Sequence, residues 1–312
     1  MRALLVTAED GPDAVALADV AAPEAELVVA VRAAGVSFPD LLMTRGEYQV
    51  RQPLPFTLGW EAAGDVIRAP AGGPFSVGDR VMTLSLGAHA EQVAAIPEAT
   101  FPLPDELSYE EGAALPLNYL TALAALERRG GLRTGETVLV HGAAGGVGTA
   151  TVQVAKALGA EVIAAVSTDE KAEVAREAGA DSVVIGEDFR DQLQGPVNLI
   201  VDPVGGSERF KESLRALAPE GRIVVVGFTS GEIPEVKVNR LLLRNVDVRG
   251  CSFGVLATDP TGVADATARL GDLIRTGAVR PLVGSVYSLD QGAAALRELD
   301  ERRAKGKVVV TV

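Results

Sequence analysis

The sequence predicts an α/β protein with two domains, one rich in β strands and one built on a doubly wound parallel sheet. The chain has 312 residues, and at roughly 150 residues per domain this length indicates two domains. Short strand-like segments separated by Gly and Pro fill the first hundred residues, whereas apolar strands alternate with helices from Glu136 onward. The second pattern is typical of a parallel sheet. The alternative interpretation of the first hundred residues is that their strands belong to a sheet within one large α/β domain.

Within the first hundred residues, five segments combine apolar or alternating residues with flanking turn residues. They are Arg2–Thr7, Glu26–Ala34, Phe56–Arg68, Asp79–Ser85 and Ala90–Ile96. Turn residues such as Gly11-Pro12 and Gly72-Gly73-Pro74 lie between them. Short strands with turn signals at this spacing predict a β sandwich or barrel.

After these strands, the helical pattern begins at Ser108, an N-cap residue with Glu111 at the third helical position. This helix is predicted to end at Gly130-Gly131. The later predicted strands are Thr137–His141, Glu161–Val166, Ser182–Ile185, Val197–Val201, Arg222–Val226, Asn245–Gly250, Val279–Tyr287 and Lys307–Val312. The later predicted helices are Gly148–Leu158, Glu170–Ala178, Glu208–Leu217, Gly262–Thr276 and Gln291–Lys305. Near-continuous apolar strands predict a sheet that is buried on both faces.

Composition and charge restrict the possible functions. Hydrophobic residues make up 47% and charged residues 23% of the chain, which excludes a disordered, collagen-like or coiled-coil protein. The net charge of −13 repels phosphate backbones, so we expect no nucleic-acid partner. One cysteine and two histidines allow no internal disulfide and no four-cysteine zinc site. The polar N-terminus and the lack of a run of about 18 apolar residues predict a cytoplasmic protein without a membrane span.

The strongest motif is a glycine-rich turn between a strand and a helix, His141-Gly-Ala-Ala-Gly-Gly-Val-Gly148. Glycine allows the backbone to turn sharply and to approach a pyrophosphate, and the N–H groups at the start of a helix bind phosphates. The candidate contacts are Gly145, Gly146, Val147 and Gly148. The spacing departs from Gly-x-Gly-x-x-Gly, and a turn without a ligand is the alternative reading.

The residues after the second strand of this region indicate which dinucleotide binds. A carboxylate there would contact a free ribose 2′-hydroxyl and repel a 2′-phosphate. The sequence instead has Ser167 and Thr168, followed by Lys171. Two hydroxyl groups and an ammonium suit a 2′-phosphate, so we expect NADPH rather than NADH. Asp169 and Glu170 are interpreted as acidic residues in the first turn of the next helix, where its dipole favours them.

Further segments match a known family in order along nearly the whole chain. They are Ala34-Gly-Val-Ser-Phe-Pro-Asp40, Gly59-Trp-Glu-Ala-Ala-Gly64, Val77-Gly-Asp-Arg-Val81, Leu115-Pro-Leu-Asn-Tyr-Leu-Thr-Ala122, Asp202-Pro-Val-Gly-Gly206, Leu243-Arg-Asn-Val246 and Gly306-Lys-Val-Val309. With the glycine-rich turn, they resemble the medium-chain dehydrogenase/reductase superfamily, in particular its zinc-independent NADPH:quinone oxidoreductase (zeta-crystallin-like) branch. The resemblance implies a GroES-like catalytic domain of residues 1–116 and 278–312, and a Rossmann domain of residues 117–277. It also implies an active site in the cleft between them and a homodimer formed through the sheet edge around residues 245–253.

The resemblance also bears on the metal and on the reaction. Zinc-dependent relatives place a Cys-His pair after the Ala-Gly-Val segment and a histidine in the Gly-x-Glu turn, where this chain has Ser37-Phe38 and Trp60. None of these is a zinc ligand, so we expect no catalytic metal. The expected reaction is direct hydride transfer from NADPH to a small-molecule quinone or related activated carbonyl or alkene. A reductase of enoyl thioesters or alkenals and a non-catalytic NADPH-binding protein are the alternatives.

The resemblance implies individual roles for residues near the reacting groups. Tyr48 would hydrogen-bond a substrate carbonyl or donate a proton, and Ser37 would contact the nicotinamide ribose or the substrate. Asn118 and Thr121 lie at the start of the interdomain helix, where a threonine of the branch meets the nicotinamide carboxamide. For Tyr48, Asn118 and Thr121, packing is the alternative role.

Two further sets of cofactor contacts follow from the same resemblance. Backbone segments would line the nicotinamide at Val226, Gly227, Phe228, Ser252 and Phe253. Lys307 matches a lysine that reaches the cofactor phosphates, and a free surface lysine is the alternative.

Overall fold

The computed structural model describes residues 1–256 and 258–312. It divides into unit 1, which is Met1–Leu117 with Pro281–Val312, and unit 2, which is Asn118–Arg280. The predicted fold class is confirmed, because unit 1 is rich in β strands and unit 2 is an α/β structure on a parallel sheet.

Strands and helices follow one another in chain order. The strands are β1 (Arg2–Val6), β2 (Val15–Asp19), β3 (Val28–Val36), β4 (Phe56–Thr57), β5 (Glu61–Arg68), β6 (Arg80–Leu84), β7 (Gln92–Ala94), β8 (Thr100–Pro102), β9 (Thr137–His141), β10 (Glu161–Val166), β11 (Ser182–Ile185), β12 (Val197–Asp202), β13 (Leu217–Val225), β14 (Asp247–Gly250), β15 (Val283–Ser288) and β16 (Lys307–Thr311). The helices are α1 (Phe38–Thr44), α2 (Tyr109–Ala113), α3 (Pro116–Leu123), α4 (Gly146–Ala157), α5 (Asp169–Glu177), α6 (Ser207–Ala216), α7 (Asn239–Leu242), α8 (Phe253–Leu256), α9 (Pro260–Arg275) and α10 (Gly292–Asp300).

Unit 1 contains two sheets. The larger has the strand order β15-β16-β3-β5-β6-β8, with β7 also paired to β3, and the smaller has the order β2-β1-β4. The pairs around the centre of the larger sheet are antiparallel, and Gly35 on β3 lies opposite Val309 on β16 and opposite Glu61 on β5. Its core is aliphatic and includes Leu4, Val29, Leu41, Leu58, Leu296 and Val308. The last strand of the described chain therefore lies inside the sheet that the first residues build.

Unit 2 is a doubly wound sheet whose strand pairs are parallel. The strand order is β11-β10-β9-β12-β13-β14, which is the Rossmann order. The chain winds outward in one direction from β9 and in the other from β12. In such sheets the ligand binds outside the carboxyl ends of the strands, where the winding reverses. We therefore expect a ligand to bind at the loops after β9 and β12.

Some predicted elements differ from the observed ones. The helix predicted from Ser108 to Gly130-Gly131 is divided into α2 and α3, followed by a π-helical segment at Ala124–Arg129. Pro116 explains the division, because proline lacks the N–H needed in the middle of a helix but is well tolerated in the first turn. The helix α1 was not predicted, although Pro39 stands in its first turn. The strand β2, in a segment rich in alanine, was not predicted either.

Candidate functional site

The glycine-rich turn of unit 2 joins β9 to α4. Gly142 has a φ of +57°, which favours glycine, and its carbonyl accepts a hydrogen bond from the Gly145 N–H at 3.0 Å. A Cβ on Gly148 would lie 2.1 Å from the same carbonyl oxygen. The turn can therefore be this tight only with glycine at position 148.

The start of α4 has the features of an anion site. Gly145 is the N-cap residue, and no side chain of the described residues caps the helix there. The first amide groups of a helix have no partner within the helix, and they bind phosphate groups well. A Cβ on Gly145 would meet only the Gly142 oxygen, at 3.5 Å, so the space in front of the turn is open. These residues fit a pyrophosphate.

The loop after β12 borders this turn. A Cβ on Gly142 would lie 2.9 Å from Val204 Cγ2, so the two loops meet where the sheet changes direction. Asp202 is fully buried, and its Oδ1 accepts hydrogen bonds from the N–H groups of Val204 and Gly205 at 2.8 and 3.0 Å. Within residues 1–256 and 258–312, its Oδ2 has no partner. Asp202 thus fixes the loop that faces the glycine turn.

His141, at the end of β9, has a structural role. Its Nε2 lies 2.8 Å from Ser213 Oγ, and burial lowers the pKa of the ring to about 4. The ring is therefore neutral at physiological pH and packs edge-on against Phe189.

The residues predicted for a ribose phosphate lie at the next strand end. Ser167 and Thr168 are exposed between β10 and α5. Thr168 is the N-cap of α5, and its Oγ1 accepts a hydrogen bond from the Lys171 N–H at 3.3 Å. As expected, Asp169 and Glu170 lie in the first turn of α5.

The other cofactor residues predicted in unit 2 occupy three places. Val226, Gly227 and Phe228 follow β13, and Ser252 and Phe253 follow β14, all at the carboxyl edge of the parallel sheet. Asn118 and Thr121 lie one turn apart on α3 and are 4% and 7% exposed. The structure therefore gathers the predicted strand-end residues along one edge, whereas Asn118 and Thr121 come from a separate helix.

A buried polar cluster lies in unit 1, where three neighbouring strands meet. Lys307 Nζ on β16 lies 2.5 Å from Glu61 Oε1 on β5, and the two side chains are 4% and 0% exposed. The same ammonium donates a hydrogen bond to Ser37 Oγ, which follows β3, at 2.8 Å. Ser37 and Lys307, both predicted as site residues, are thus in contact although 270 positions separate them. For Lys307 to reach a phosphate, this ion pair would have to break.

Gly35 makes this contact possible. It lies on the central strand β3, between the strands that carry Lys307 and Glu61. A Cβ at this position would lie 2.7 Å from both Glu61 Oε1 and Lys307 Cε. Any larger residue would separate the two charged groups.

Two further ionisable side chains border the cluster. Asp40 is fully buried, and its Oδ2 accepts a hydrogen bond from the Ser37 N–H at 2.8 Å. Burial raises the pKa of Asp40 to about 7, although backbone hydrogen bonds and the charge of Lys307 oppose this shift. Burial lowers the pKa of His89 to about 4, and its Nε2 lies 3.0 Å from the Gly35 oxygen. His89 is therefore a neutral packing residue.

Tyr48 lies near this cluster in unit 1. Its ring packs edge-on against Trp60, with 5.6 Å between ring centroids. Burial, and to a lesser degree the charge of Asp40, raises the pKa of its phenol. Tyr48 lines a small hollow that opens to solvent, together with Met43, Arg51 and Phe56. Its contact with a substrate oxygen stays a prediction.

Sequence reasoning did not single out Glu61 or Asp40. Glu61 and Asp40 stand in the segments that carried the family resemblance, and a carboxylate at the start of an otherwise apolar strand, as in Glu61-Ala-Ala-Gly64, was the available signal. A buried charge implies a partner. The partner of Glu61 is Lys307, in the last strand of the chain, so its identity could not be read from the local pattern.

The described part of the chain shows neither a metal-binding cluster nor a membrane-spanning helix. Residues 1–256 and 258–312 contain no group of three or more His, Cys, Asp or Glu side chains arranged to hold a metal ion. None of the described helices is long and apolar enough to cross a membrane.

Comparison with known proteins gave consistent results for both halves of the chain. Residues 23–105 match the family described as alcohol dehydrogenase GroES-like domain, and residues 146–269 match the family described as zinc-binding dehydrogenase. The quinone oxidoreductase-like protein 2 of Bos taurus is 38% identical over 301 residues, covering 92% of this chain and 85% of that protein.

Two solved structures are similar over the whole chain. A probable oxidoreductase from Mycobacterium abscessus has a TM-score of 0.91 and 40% identity, and the match covers 100% of this chain and 99% of that one. The quinone oxidoreductase of Thermus thermophilus, solved alone and in complex with NADPH, has a TM-score of 0.85 and 38% identity, with both chains fully covered.

Replacing Asp40 with Asn should change how stability depends on pH. Because the pKa of Asp40 is raised to about 7 in the folded protein, the parent carboxyl releases its proton on unfolding between about pH 4 and pH 7, and its contribution to stability falls as pH rises through this window. Relative to the parent, Asp40→Asn should therefore gain about 2–3 kcal/mol in unfolding free energy between pH 5 and pH 8. Urea denaturation at several pH values measures this difference, in which the contributions of His89 and His141 cancel.

The matched control is Asp105→Asn, because the Asp105 side chain is fully exposed. The difference in unfolding free energy between Asp105→Asn and the parent should not change between pH 5 and pH 8. A flat difference for Asp40→Asn as well would contradict the raised pKa.

Proposed function

Since the chain belongs to the zinc-independent quinone oxidoreductase branch of the medium-chain dehydrogenase/reductase superfamily, we propose that it reduces a quinone, or a related activated carbonyl or alkene, with NADPH. The observation that carries this proposal is the open glycine turn at the start of α4, where the sheet changes direction. It meets the geometric needs of a dinucleotide pyrophosphate. The relative from Thermus thermophilus, which was solved with NADPH, supports the choice of dinucleotide.

The residues of unit 2 would bind and orient the dinucleotide. The amide groups of Gly146, Val147 and Gly148 would hold the pyrophosphate, and the absence of a side chain at Gly145 gives it room. Ser167, Thr168 and Lys171 would hold the ribose 2′-phosphate by hydrogen bonds and charge.

The remaining predicted contacts would orient the nicotinamide. The backbone at Val226, Gly227, Phe228, Ser252 and Phe253 would line it, and Asn118 or Thr121 would bind the carboxamide. When bound, NADPH supplies the hydride.

Unit 1 would supply the polar groups that meet the acceptor. A quinone or enone that gains a hydride becomes negatively charged on oxygen, and hydrogen-bond donors placed in advance stabilise that charge. Ser37 and Tyr48 carry such donors. Neither side chain is a strong acid, which suits an acceptor as electrophilic as a quinone.

Loss of NADPH absorbance with 1,4-benzoquinone or 9,10-phenanthrenequinone tests the proposal directly. The proposal requires saturable consumption of NADPH with at least one of them. Consumption with an enoyl thioester but with neither quinone would favour the enoyl reductase. A change in NADPH fluorescence without consumption of any would indicate a binding protein.

We also propose that the chain forms a homodimer through the edge of the unit 2 sheet. Strand β14 is the edge strand and is largely exposed. In the chain segments that precede and follow it, large apolar side chains are exposed to solvent: Ile233, Val238, Leu242, Leu243 and Val255 are 68–77% exposed. A bare strand edge beside such side chains invites pairing with another chain, and a second copy presents the same surface.

Substitutions in the two parts of the dinucleotide site should affect NADPH and NADH differently. Gly145→Ala should weaken both about tenfold or more, because its methyl group fills space that the shared pyrophosphate needs. Lys171→Glu should weaken NADPH by about tenfold or more and leave NADH nearly unchanged, because a carboxylate repels only the 2′-phosphate. Fluorescence titration of the parent and of both variants with each dinucleotide gives the six dissociation constants.

The unfolding free energy of Gly145→Ala serves as the control. The 3.5 Å contact of the new Cβ is ordinary van der Waals contact, so stability should change by less than about 1 kcal/mol. Equal losses of NADPH and NADH affinity in Lys171→Glu would refute the assignment of the 2′-phosphate site.

Leu243→Asp should convert the dimer to a monomer. The substitution places a charge in the apolar surface, and a charge at the centre of an interface is costly to bury. Light scattering of the purified protein measures the mass. Val77→Asp changes an apolar residue of unit 1 that is 69% exposed, and it should leave the dimer intact. A parent protein that is monomeric at micromolar concentration would refute the proposal.

A further inference from the structure

The ion pair between Lys307 and Glu61 is costly to bury, which calls for an explanation. Both side chains are almost fully inaccessible to water. Removing two charges from water costs about as much as their attraction returns, so a buried ion pair is weak evidence for a role in stability. Placement of another group is a different reason to retain such a pair, and the group that the ammonium contacts is the hydroxyl of Ser37.

The hydrogen-bonding capacity of Ser37 is not filled. Its oxygen accepts a hydrogen bond from Lys307 at 2.8 Å, while its own proton points toward Glu61 Oε1 at 3.4 Å. That distance exceeds the range of about 2.5–3.0 Å for an ordinary O–H···O bond. The same carboxylate oxygen already binds the ammonium, and the other oxygen of Glu61 accepts a bond from the Leu117 N–H at 2.8 Å. The Ser37 proton is therefore poorly bound.

Ser37 also stands at the start of a helix. It is the N-cap residue of α1, where its side chain and that of Asp40 form a capping box. The Lys307 ammonium contacts the same Ser37 oxygen at 2.8 Å. The serine is 6% exposed, so it is not completely closed off. The position of the Ser37 oxygen is therefore fixed both by the helix start and by Lys307.

We propose that Lys307 is a positioning residue that holds the oxygen of Ser37, so that the Ser37 hydroxyl donates its hydrogen bond to the substrate oxygen that becomes negatively charged. This inference rests on the proposed function and deepens it. Hydrogen bonds in a chain polarise one another, so a hydroxyl that accepts from an ammonium is a better donor. Glu61 holds the ammonium in place and compensates its charge.

When bound, NADPH would supply a hydride with two electrons to the quinone or to the β-carbon of an enone, and would itself be oxidised to NADP⁺. The π electrons of the acceptor move onto its oxygen, where the Ser37 hydroxyl donates a hydrogen bond to the new negative charge. A proton from solvent then neutralises that oxygen. Ser37 and Lys307 keep their own protons throughout.

This role differs from the phosphate contact that the family resemblance implied for Lys307. Moving the ammonium to a phosphate would leave the carboxylate of Glu61 buried without its cation, which is strongly unfavourable. The two roles also predict different kinetics. A phosphate contact acts on NADPH affinity, whereas the positioning role acts on the rate with NADPH already bound.

A double-mutant cycle tests the proposal. Its members are the parent, Ser37→Ala, the paired variant Lys307→Met with Glu61→Gln, and the combination of all three substitutions. The paired variant removes both charges and so avoids an unpaired buried charge. Stopped-flow consumption of saturating NADPH by 1,4-benzoquinone gives the rate, and fluorescence titration gives the Kd for NADPH.

The proposal requires that the effects are not additive. Ser37→Ala should lower the rate by about 10- to 100-fold, and the paired variant should lower it by about 10-fold or less. The combined variant should be no slower than Ser37→Ala, because the ammonium acts only through Ser37. The Kd for NADPH should change by less than about twofold in each variant. Lys211→Met, which removes an exposed lysine of α6, is the matched control and should behave as the parent.

Three outcomes would overturn the inference, and they can be told apart. If the rate loss of the combined variant equals the product of the losses in Ser37→Ala and in the paired variant, Lys307 acts independently of Ser37. A large rise in the Kd for NADPH, with an unchanged rate at saturation, would instead support a contact between Lys307 and the cofactor phosphates. A parent protein that consumes no NADPH would refute the proposed function and the inference together. If the paired variant does not fold, Lys307→Arg, which keeps the charge, replaces it in the same cycle, where it should slow the parent but not Ser37→Ala.

Discussion

The contact between Lys307 and Glu61 above Gly35 is the constraint on which the polar centre of unit 1 depends. Three strands that are far apart in the sequence must be neighbours, in the observed register, for the two charges to meet. The middle strand must also lack a side chain at the point of contact. A register shift of one residue would turn every side chain to the opposite face. Sheet pairing in this unit and the position of the Ser37 hydroxyl are therefore determined together.

Unit 2 uses glycine for a different purpose. Glycine is needed for the turn itself at two positions. Gly142 has a positive φ, and Gly148 lies close to the backbone of Gly142. At Gly145, it leaves open space instead. The same residue type thus permits a tight turn at two positions and leaves open space at a third. This is why glycine spacing alone is a weaker signal than spacing combined with the order of strand, turn and helix.

The sequence predicted most of unit 2 and less of unit 1, for physical reasons. Parallel strands buried on both faces are continuous apolar runs, so β9, β10 and β12 could be recognised locally, and the residues after them followed from the topology. Unit 1 depends on long-range pairing. Short segments such as β2 and α1 carried little signal, and the prediction of Ser37 and Lys307 as site residues came from a resemblance. Their mutual contact came only from the structure, since nothing local connects residue 37 to residue 307.

The two units also differ in how their residues are distributed along the sequence. Unit 2 is one uninterrupted stretch of sequence, whereas unit 1 is assembled from two separate stretches, with β16 inserted between β15 and β3. During synthesis on the ribosome, the earlier stretch of unit 1 emerges with an incomplete sheet, in which residues 33–36 of β3 lack the partner strand β16 until the whole of unit 2 has been added. Such an edge is prone to pair wrongly. The sheet of unit 1 therefore becomes complete only when the strand that carries Lys307 has been made.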